Sequence, residues 1–164
     1  MTDYGLLAKQ IISLAEVDAH WLPVLSNAAA LLWDALDDIN WAGFYLVDPA
    51  TVSGEGPSAP ELRLGPFQGK VACVRIPFGR GVCGTAAATK TSQLVEDVHQ
   101  FPGHIACDSA SNSEVVVPIF KDDQVVGVLD IDSPNVARFT QEDLAGLEQV
   151  VKALESCTKF SAFC

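Results

Sequence analysis

Two aspartates occupy alternate positions in an otherwise apolar stretch. Asp130 and Asp132 lie about 7 Å apart on one face of a predicted strand, together with Val126. Aspartate is depleted in strands and neighbouring like charges repel, so a sheet carries such a pair only where it is solvated or faces a cation. Two interpretations stay open. Either the strand ends in a turn before Ser133, or the pair binds an ammonium group, with Glu114 on the preceding strand as a third carboxylate.

Five cysteines are present, and three of them are concentrated at positions 73, 83 and 107. An odd count without a secretory signal disfavours a secreted disulfide framework. Cys73, Cys83 and Cys107 are compatible with buried core residues, a zinc site completed by His99 and His104, or a dithiol redox centre. The absence of a tight Cys-x2-4-Cys pair disfavours zinc. Cys107 lies in a predicted loop whose hydrogen-bond donors favour an exposed thiolate.

A glycine-rich segment at residues 79–84 matches the G-x-G-x-x-G pattern of dinucleotide-binding loops. However, the helix predicted after it is too short for a normal crossover, and Pro77 interrupts the join between strand and loop. Strands and helices also do not alternate along the chain. The sequence therefore favours a tight turn that needs glycine.

The composition limits the class of partner. The chain has 164 residues, 49% apolar and 19% charged, which predicts about one ordered domain. No apolar run is long enough to span a membrane, and residues 1–16 lack the basic start of a secretory signal. A net charge of −11 repels phosphate backbones and anionic lipid. We therefore expect small-molecule or protein partners, and no nucleic acid or membrane.

Local patterns predict the elements that position these residues. They indicate two amphipathic helices, the first capped by Thr2 or Asp3, and then a strand over residues 40–47 with Trp41 and Tyr45 on one face. Residues 48–60 are predicted as a long exposed loop. There follow a strand at Val71–Ile76, a helix at Val82–Thr89, a strand around Leu94–Val95, a hairpin of Val115–Phe120 and Val125–Ile131, and a last helix opened by a capping box at Thr140–Asp143. This order favours an α+β fold with a mainly antiparallel sheet and helices on one face.

Several segments carry a family resemblance, at residues 40–46, 64–70, 72–77, 79–85, 96–98, 103–108, 111–114 and 127–133. In this order they resemble the free methionine-(R)-sulfoxide reductases, which are GAF-domain enzymes, and the likeness covers residues 2–156. The resemblance implies a single GAF-like α+β domain over residues 1–164. Its central sheet is mainly antiparallel, its N- and C-terminal helices pack on one face, and residues 157–164 form a tail.

The resemblance also implies a role for each central cysteine. Cys107 matches the nucleophile, whose thiolate attacks the sulfoxide sulfur and becomes a sulfenic acid. Cys73 matches the main resolving cysteine, which forms a disulfide with it, and Cys83 matches a third cysteine able to resolve in its place. In the family, thioredoxin reduces this disulfide, with NADPH as electron source through thioredoxin reductase. We therefore expect no bound cofactor and no metal.

The same resemblance implies a substrate pocket. Glu114, Asp130 and Asp132 match the acidic substrate residues, and Trp41 and Tyr45 match the aromatic wall. Carboxylates can pair with the ammonium group of a free amino acid, and one carboxyl kept neutral by crowding can protonate the sulfoxide oxygen. An aromatic wall that fixes the S-methyl group selects the R epimer. The expected activity is reduction of free L-methionine-(R)-S-oxide to methionine.

Two rival functions remain open: a non-catalytic GAF sensor that binds a small ligand, and a zinc-stabilised interaction module. The missing targeting signals and the need for a thiol reductant predict a cytoplasmic location. Analogy with other GAF domains predicts a homodimer. The sequence assigns no role to Cys157 and Cys164.

Overall fold

An antiparallel sheet of six strands lies at the centre of the structure, a computed structural model that describes residues 2–48, 60–103 and 110–160. The strands are β1 (Trp41–Val47), β2 (Glu61–Gly69), β3 (Arg75–Pro77), β4 (Gln93–Val95), β5 (Ser113–Lys121) and β6 (Gln124–Ser133). Their order across the sheet is β3-β2-β1-β6-β5-β4, and every neighbouring pair is antiparallel.

Helices cover both faces of this sheet. They are α1 (Tyr4–Ala15), α2 (Trp21–Ala35), α3 (Gly81–Thr89) and α4 (Gln141–Cys157). Helices α1, α2 and α4 pack on one face, and the short α3 packs on the other. The prediction of an α+β fold with its terminal helices on one face of a mainly antiparallel sheet is confirmed. Within the described ranges, no helix has the length and apolar character that a membrane span requires.

Both terminal helices begin at predicted caps. Asp3 Oδ1 accepts a hydrogen bond from Leu6 N at 2.9 Å, and Thr140 and Asp143 form the capping box of α4. Tyr4 Oη donates to Asp143 Oδ1 at 2.6 Å, which ties the start of α1 to the start of α4. Burial alone would raise the pKa of Asp143, but the hydrogen bonds from Tyr4 and Thr140 outweigh it and lower this pKa.

Strand β1 divides the interior into two cores, as its alternation predicted. Ala42, Phe44 and Leu46 point towards α1, α2 and α4. Trp41 and Tyr45 point towards α3. One face of the sheet is therefore closed by apolar packing, while the other carries aromatic rings with polar groups.

The prediction was wrong about the strands between residues 60 and 77. It placed a strand at Val71–Ile76, whereas β3 spans only Arg75–Pro77, and it missed β2. Gly65 and Pro66 resemble strand breakers, yet they lie at a bulge where the register of the β1–β2 pair shifts opposite Phe44. A Cβ atom on Gly65 would lie 2.9 Å from the carbonyl oxygen of Phe44, so the close approach of the strands requires glycine.

The predicted β5–β6 hairpin is present with one local difference. Asp122 and Asp123 form its turn with φ values of 50° and 61°, which is typical of a type I′ turn. A register shift between Ile119 and Phe120 leaves Val126 without a partner residue on β5, so Val126 packs towards the terminal helices. Its predicted placement on the aspartate face is therefore wrong, because a bulge reverses the alternation at that point.

Gly146 in α4 lies directly against the ring of Tyr4 in α1. We expect Gly146→Ala to lower the free energy of unfolding. This would be unusual, because replacing a glycine by alanine inside a helix normally raises the free energy of unfolding by about 1 kcal/mol. The new Cβ would lie 2.1 Å from Tyr4 Cδ2, and overpacking of this kind costs about 1–3 kcal/mol. Urea unfolding monitored by circular dichroism measures the change.

Gly5→Ala is the matched control within α1. A Cβ on Gly5 would meet its nearest atom at 3.4 Å, so this variant should gain up to about 1 kcal/mol. Equal stabilisation by both substitutions would contradict the packing of Tyr4 against Gly146.

Candidate functional site

A cavity lies on the face of the sheet that α3 covers. It is lined by residues of β1, β5 and β6, by the start of α3 and by the segment between β2 and β3. The lining side chains include Trp41, Tyr45, Ala72, Arg80, Cys83, Ser111, Glu114, Asp130 and Asp132. All five residues that sequence reasoning assigned to a substrate pocket therefore surround one cavity, together with Cys83.

The strand register brings the three carboxylates together. Glu114 in β5 pairs directly with Asp132 in β6, and Asp130 lies on the same face two residues earlier. Glu114 is 7% exposed and Asp130 is 6% exposed. Among the described residues, none forms a hydrogen bond with the buried Oδ1 of Asp130. Because an unpaired buried polar atom is costly, this oxygen is suited to a ligand that brings a donor or a positive charge.

Burial is the main reason why these carboxyl groups resist ionisation. Desolvation, followed by the negative charges of Asp130 and Asp132, raises the pKa of Glu114 well above its usual value. Burial also raises the pKa of Asp130, to about 6. The pair therefore retains a proton near neutral pH. Such a proton can be donated to a bound molecule.

An aromatic stack forms the wall beside the carboxylates. Trp41 stacks on Tyr45 with ring centroids 5.7 Å apart and on Phe67 with centroids 5.2 Å apart. Trp41 Nε1 donates to Lys70 O at 3.1 Å, and Tyr45 Oη donates to Cys73 O at 3.0 Å. The polar atoms of both rings thus fix the backbone that leads to Cys73. Sequence reasoning missed Phe67 because it missed β2.

The cysteines differ in state and surroundings. Cys83 is a free thiol, 3% exposed, with its Sγ 3.9 Å from Glu114 Oε1. Burial and the neighbouring carboxylates raise the pKa of this thiol, which makes it a poor nucleophile at neutral pH. Cys73 takes part in a disulfide, and because Cys83 and Cys157 are both free, neither is its partner. The predicted nucleophile Cys107 lies outside the described residues.

The glycine-rich segment before α3 forms a local turn. Gly79 and Gly81 have φ values of 80° and 62°, and Gly79 N donates to Gly84 O at 2.7 Å. A Cβ atom on Gly84 would lie 2.3 Å from the carbonyl oxygen of Pro77. Because β3 pairs antiparallel with β2, the segment does not belong to the βαβ unit of a dinucleotide fold. Its effect is to place Cys83, in the first turn of α3, against the cavity.

The described histidines make local hydrogen bonds. His20 caps α2, where its Nδ1 accepts from Leu22 N at 3.2 Å. His99 Nε2 lies 2.9 Å from Asn112 Oδ1. Neither histidine lines the cavity. His104, the other candidate for a zinc ligand, lies outside the described residues.

A different set of side chains has the spacing of metal ligands. The Sγ of Cys83 and carboxylate oxygens of Glu114 and Asp130 all lie within 4.8 Å of one another. In the part of the chain that the structure describes, His99 belongs to no such group. If a cation binds here, the thiol and the two buried carboxyl groups are the residues that can hold it.

Comparison with known proteins identifies the family. The family model described as GAF domain matches residues 24–156. The chain is 53% identical to the free methionine-R-sulfoxide reductase of Escherichia coli K12 over 152 residues, which cover 93% of this chain and 86% of that protein.

Solved structures agree with the sequence comparison. The reduced form of fRMsr of Staphylococcus aureus matches with a TM-score of 0.86 and 53% identity, covering 97% of both chains. The free methionine-R-sulfoxide reductase of Neisseria meningitidis, solved in complex with its substrate, matches with a TM-score of 0.86 and 44% identity, covering 96% of this chain and 89% of that one. Likeness at this level extends over nearly the whole chain, and the protein belongs to the GAF-domain family of free methionine-R-sulfoxide reductases.

Proposed function

We propose that this protein reduces free L-methionine-(R)-S-oxide to methionine. The observation that carries the proposal is a cavity lined by both Asp130 and the stacked indole of Trp41. The buried Oδ1 of Asp130 has no hydrogen-bond partner among the residues that the structure describes. A free amino acid offers an ammonium group to the carboxylates and an S-methyl group to the aromatic wall. The relatives named free methionine-R-sulfoxide reductase support the same substrate.

Substrate binding depends on the charge at one end and the methyl group at the other. Glu114, Asp130 and Asp132 bind the ammonium group, and Trp41 packs against the S-methyl group. Because the methyl group is fixed against Trp41, the sulfoxide oxygen can adopt only one orientation at the chiral sulfur. This orientation selects the R epimer. Methionine sulfoxide inside a peptide lacks the free ammonium group and leaves buried carboxyl groups unpaired, at a cost of about 1–3 kcal/mol each.

The reaction is a reduction by two thiols. The thiolate of Cys107 attacks the sulfoxide sulfur, and a protonated carboxyl of the Glu114–Asp130 pair gives its proton to the sulfoxide oxygen. The sulfur–oxygen bond of the substrate breaks, methionine leaves, and the oxygen remains on Cys107 as a sulfenic acid. The thiol of Cys73 then displaces water and forms the Cys73–Cys107 disulfide. Two electrons thus pass from the two thiols to the substrate.

The states of the other central cysteines support this division of roles. Cys73 is disulfide-bonded, and Tyr45 holds its backbone carbonyl at 3.0 Å. Cys83 is a free, buried thiol with a raised pKa, so it forms a thiolate less readily than an exposed cysteine does. We therefore assign resolution mainly to Cys73, with Cys83 as the alternative.

Turnover requires an external dithiol. We propose thioredoxin, reduced in turn by NADPH through thioredoxin reductase, and hence a cytoplasmic setting.

We also propose that two copies associate, because α1 exposes Leu6 and Leu14 and α2 exposes Trp33. Sedimentation equilibrium should give the mass of a dimer, and a monomer at every concentration would contradict this association.

Assays with dithiothreitol test the proposed substrate. We expect methionine to form from free L-methionine-(R)-S-oxide and not from the S epimer. N-acetyl-L-methionine-(R)-S-oxide is the matched control, because it keeps the sulfoxide and lacks the ammonium group. Its kcat/KM should be about 100-fold lower, the equivalent of about 3 kcal/mol. No turnover of any of these compounds would favour the non-catalytic ligand sensor.

Cysteine variants test the assigned roles. Cys107→Ser should abolish turnover with dithiothreitol, since it removes the attacking sulfur. Cys73→Ser should remain active with dithiothreitol, which can reduce a sulfenic acid directly, and should lose most of its activity with thioredoxin. Cys157→Ser should match the wild type in both assays. If Cys107→Ser is active while Cys73→Ser or Cys83→Ser is not, the roles are wrongly assigned.

Asp130→Asn separates substrate binding from stability. We expect kcat/KM to fall about tenfold or more, because the amide no longer offers a negative charge to the ammonium group. The free energy of unfolding should instead rise at pH 7, because the substitution removes a buried carboxylate. The folded wild type holds a proton on Asp130 more tightly than the unfolded chain, since burial raises its pKa to about 6. Its free energy of unfolding therefore falls as pH rises from about 4 to 6.

Urea unfolding at pH 4.5 and pH 7 measures this effect. The advantage of Asp130→Asn over the wild type should be larger at pH 7 than at pH 4.5. Asp132→Asn is the control on the same strand face, because Asp132 is more exposed than Asp130. If the free energies of unfolding of the wild type and Asp130→Asn differ by the same amount at both pH values, a destabilising buried carboxylate at this position is contradicted.

A further inference from the structure

A free thiol lies at the most acidic part of the cavity. Cys83 Sγ is 3.9 Å from Glu114 Oε1, and ligand atoms of Cys83, Glu114 and Asp130 all lie within 4.8 Å of one another. All three residues are buried. Asp130 Oδ1 has no hydrogen-bond partner among residues 2–48, 60–103 and 110–160. This unsatisfied oxygen is a second, independent sign that the cluster is built to receive a cation.

The spacing of the donor atoms suits a small divalent cation. Zn²⁺ binds a thiolate sulfur at about 2.3 Å and a carboxylate oxygen at about 2.0–2.2 Å, so two such ligands in a tetrahedral site are about 3.5 Å apart. The separation of 3.9 Å between Cys83 Sγ and Glu114 Oε1 is close to this value. The three ligands come from α3, β5 and β6, which pack on one another. Small side-chain rotations are therefore enough to close the site.

The chemistry of the donors selects the class of metal. Thiolate favours Zn²⁺ and Cd²⁺, whereas Mg²⁺ and Ca²⁺ prefer sites made of oxygen alone. Once the metal has displaced their protons, the thiolate and two carboxylates supply three negative charges to it. Arg80 is the one lysine or arginine among the described lining residues, and its side chain is exposed. Among the described residues, no basic side chain within the cluster neutralises this negative charge before a cation binds.

We propose that Cys83, Glu114 and Asp130 bind a thiophilic divalent cation such as Zn²⁺ or Cd²⁺, and that the bound cation excludes the substrate. One metal–sulfur bond and two metal–oxygen bonds form, the thiol proton and the proton held by the carboxyl pair both pass to water, and nothing is oxidised. The exclusion of substrate rests on the proposed function, because Glu114 and Asp130 are shared with the ammonium group. The metal site itself does not depend on that function.

A cadmium titration without turnover tests the site. The purified protein is first oxidised, so that Cys73 remains in its disulfide. Cd²⁺ is then added while the ultraviolet charge-transfer absorption of the cadmium–thiolate bond is recorded. We expect a band that saturates at one Cd²⁺ per chain. Cys83→Ser should abolish the band, and Cys157→Ser, at the other described free thiol, should keep it. No band in the wild type, or a band that survives Cys83→Ser, would overturn the proposal.

Glu114→Gln provides a second test that keeps the thiol in place. This variant should still give the band, with an affinity for Cd²⁺ at least about tenfold weaker, because even partners of metal ligands contribute a factor of about 10–100. Wild-type affinity in Glu114→Gln would exclude Glu114 as a ligand and overturn the three-residue site. Mg²⁺ in large excess should not displace Cd²⁺, and displacement would contradict a thiolate ligand.

Competition with methionine tests whether metal and substrate share the carboxylates. Methionine should raise the apparent Kd for Cd²⁺ in proportion to its concentration, and N-acetylmethionine, which lacks the ammonium group, should not. Cadmium binding that depends on Cys83 but ignores methionine would overturn the proposed exclusion. Cadmium binding without any sulfoxide reduction would instead show that the proposed function fails while the metal site holds.

Discussion

The burial of two neighbouring carboxyl groups is the constraint on which the site depends. Glu114 and Asp130 project from adjacent strands into the cavity, and each is more than nine-tenths buried. Removing a carboxylate from water is costly, so the pair keeps a proton. Burial, and then the negative charge of the pair, raise the pKa of the Cys83 thiol. The negative charge that remains on the pair is costly to bury without a positive partner. A ligand with a positive charge relieves that cost, which links affinity to charge.

The rest of the fold makes this arrangement tolerable. Terminal helices α1, α2 and α4 close one face of the sheet with a large apolar core, which supports the paired strands from that side. The opposite face is free to carry polar groups because α3 is short and covers only part of it. Hydrogen bonds from Trp41 and Tyr45 then fix the backbone that leads to Cys73. Stability thus comes mainly from one face of the sheet and chemistry from the other.

Alternation along single strands was enough to predict much of this site. Trp41 and Tyr45 were placed on one face of β1, and Asp130 and Asp132 on one face of β6, because side chains alternate strictly in regular strands. What alternation could not supply is the pairing of strands. The proximity of Glu114 to Asp130, and the insertion of Cys83 beside them, depend on long-range register.

The failures have a common physical cause. Gly65 and Pro66 concealed β2, and with it Phe67, because residues that normally end a strand lie here at a bulge. Val126 was assigned to the wrong face for the same reason. A bulge inserts one residue and reverses the alternation, and no local pattern in the sequence marks where that happens.

The central claim is that a proton resides on the buried carboxyl pair and is available to a bound substrate. Infrared difference spectroscopy at pH 7 tests this directly, because protonated and ionised carboxyl groups absorb at different frequencies. The account predicts a protonated carboxyl band in the unliganded protein, its loss in Glu114→Gln, and its persistence when methionine binds. A spectrum with only ionised carboxylates, or a protonated band that Glu114→Gln leaves unchanged, would contradict it.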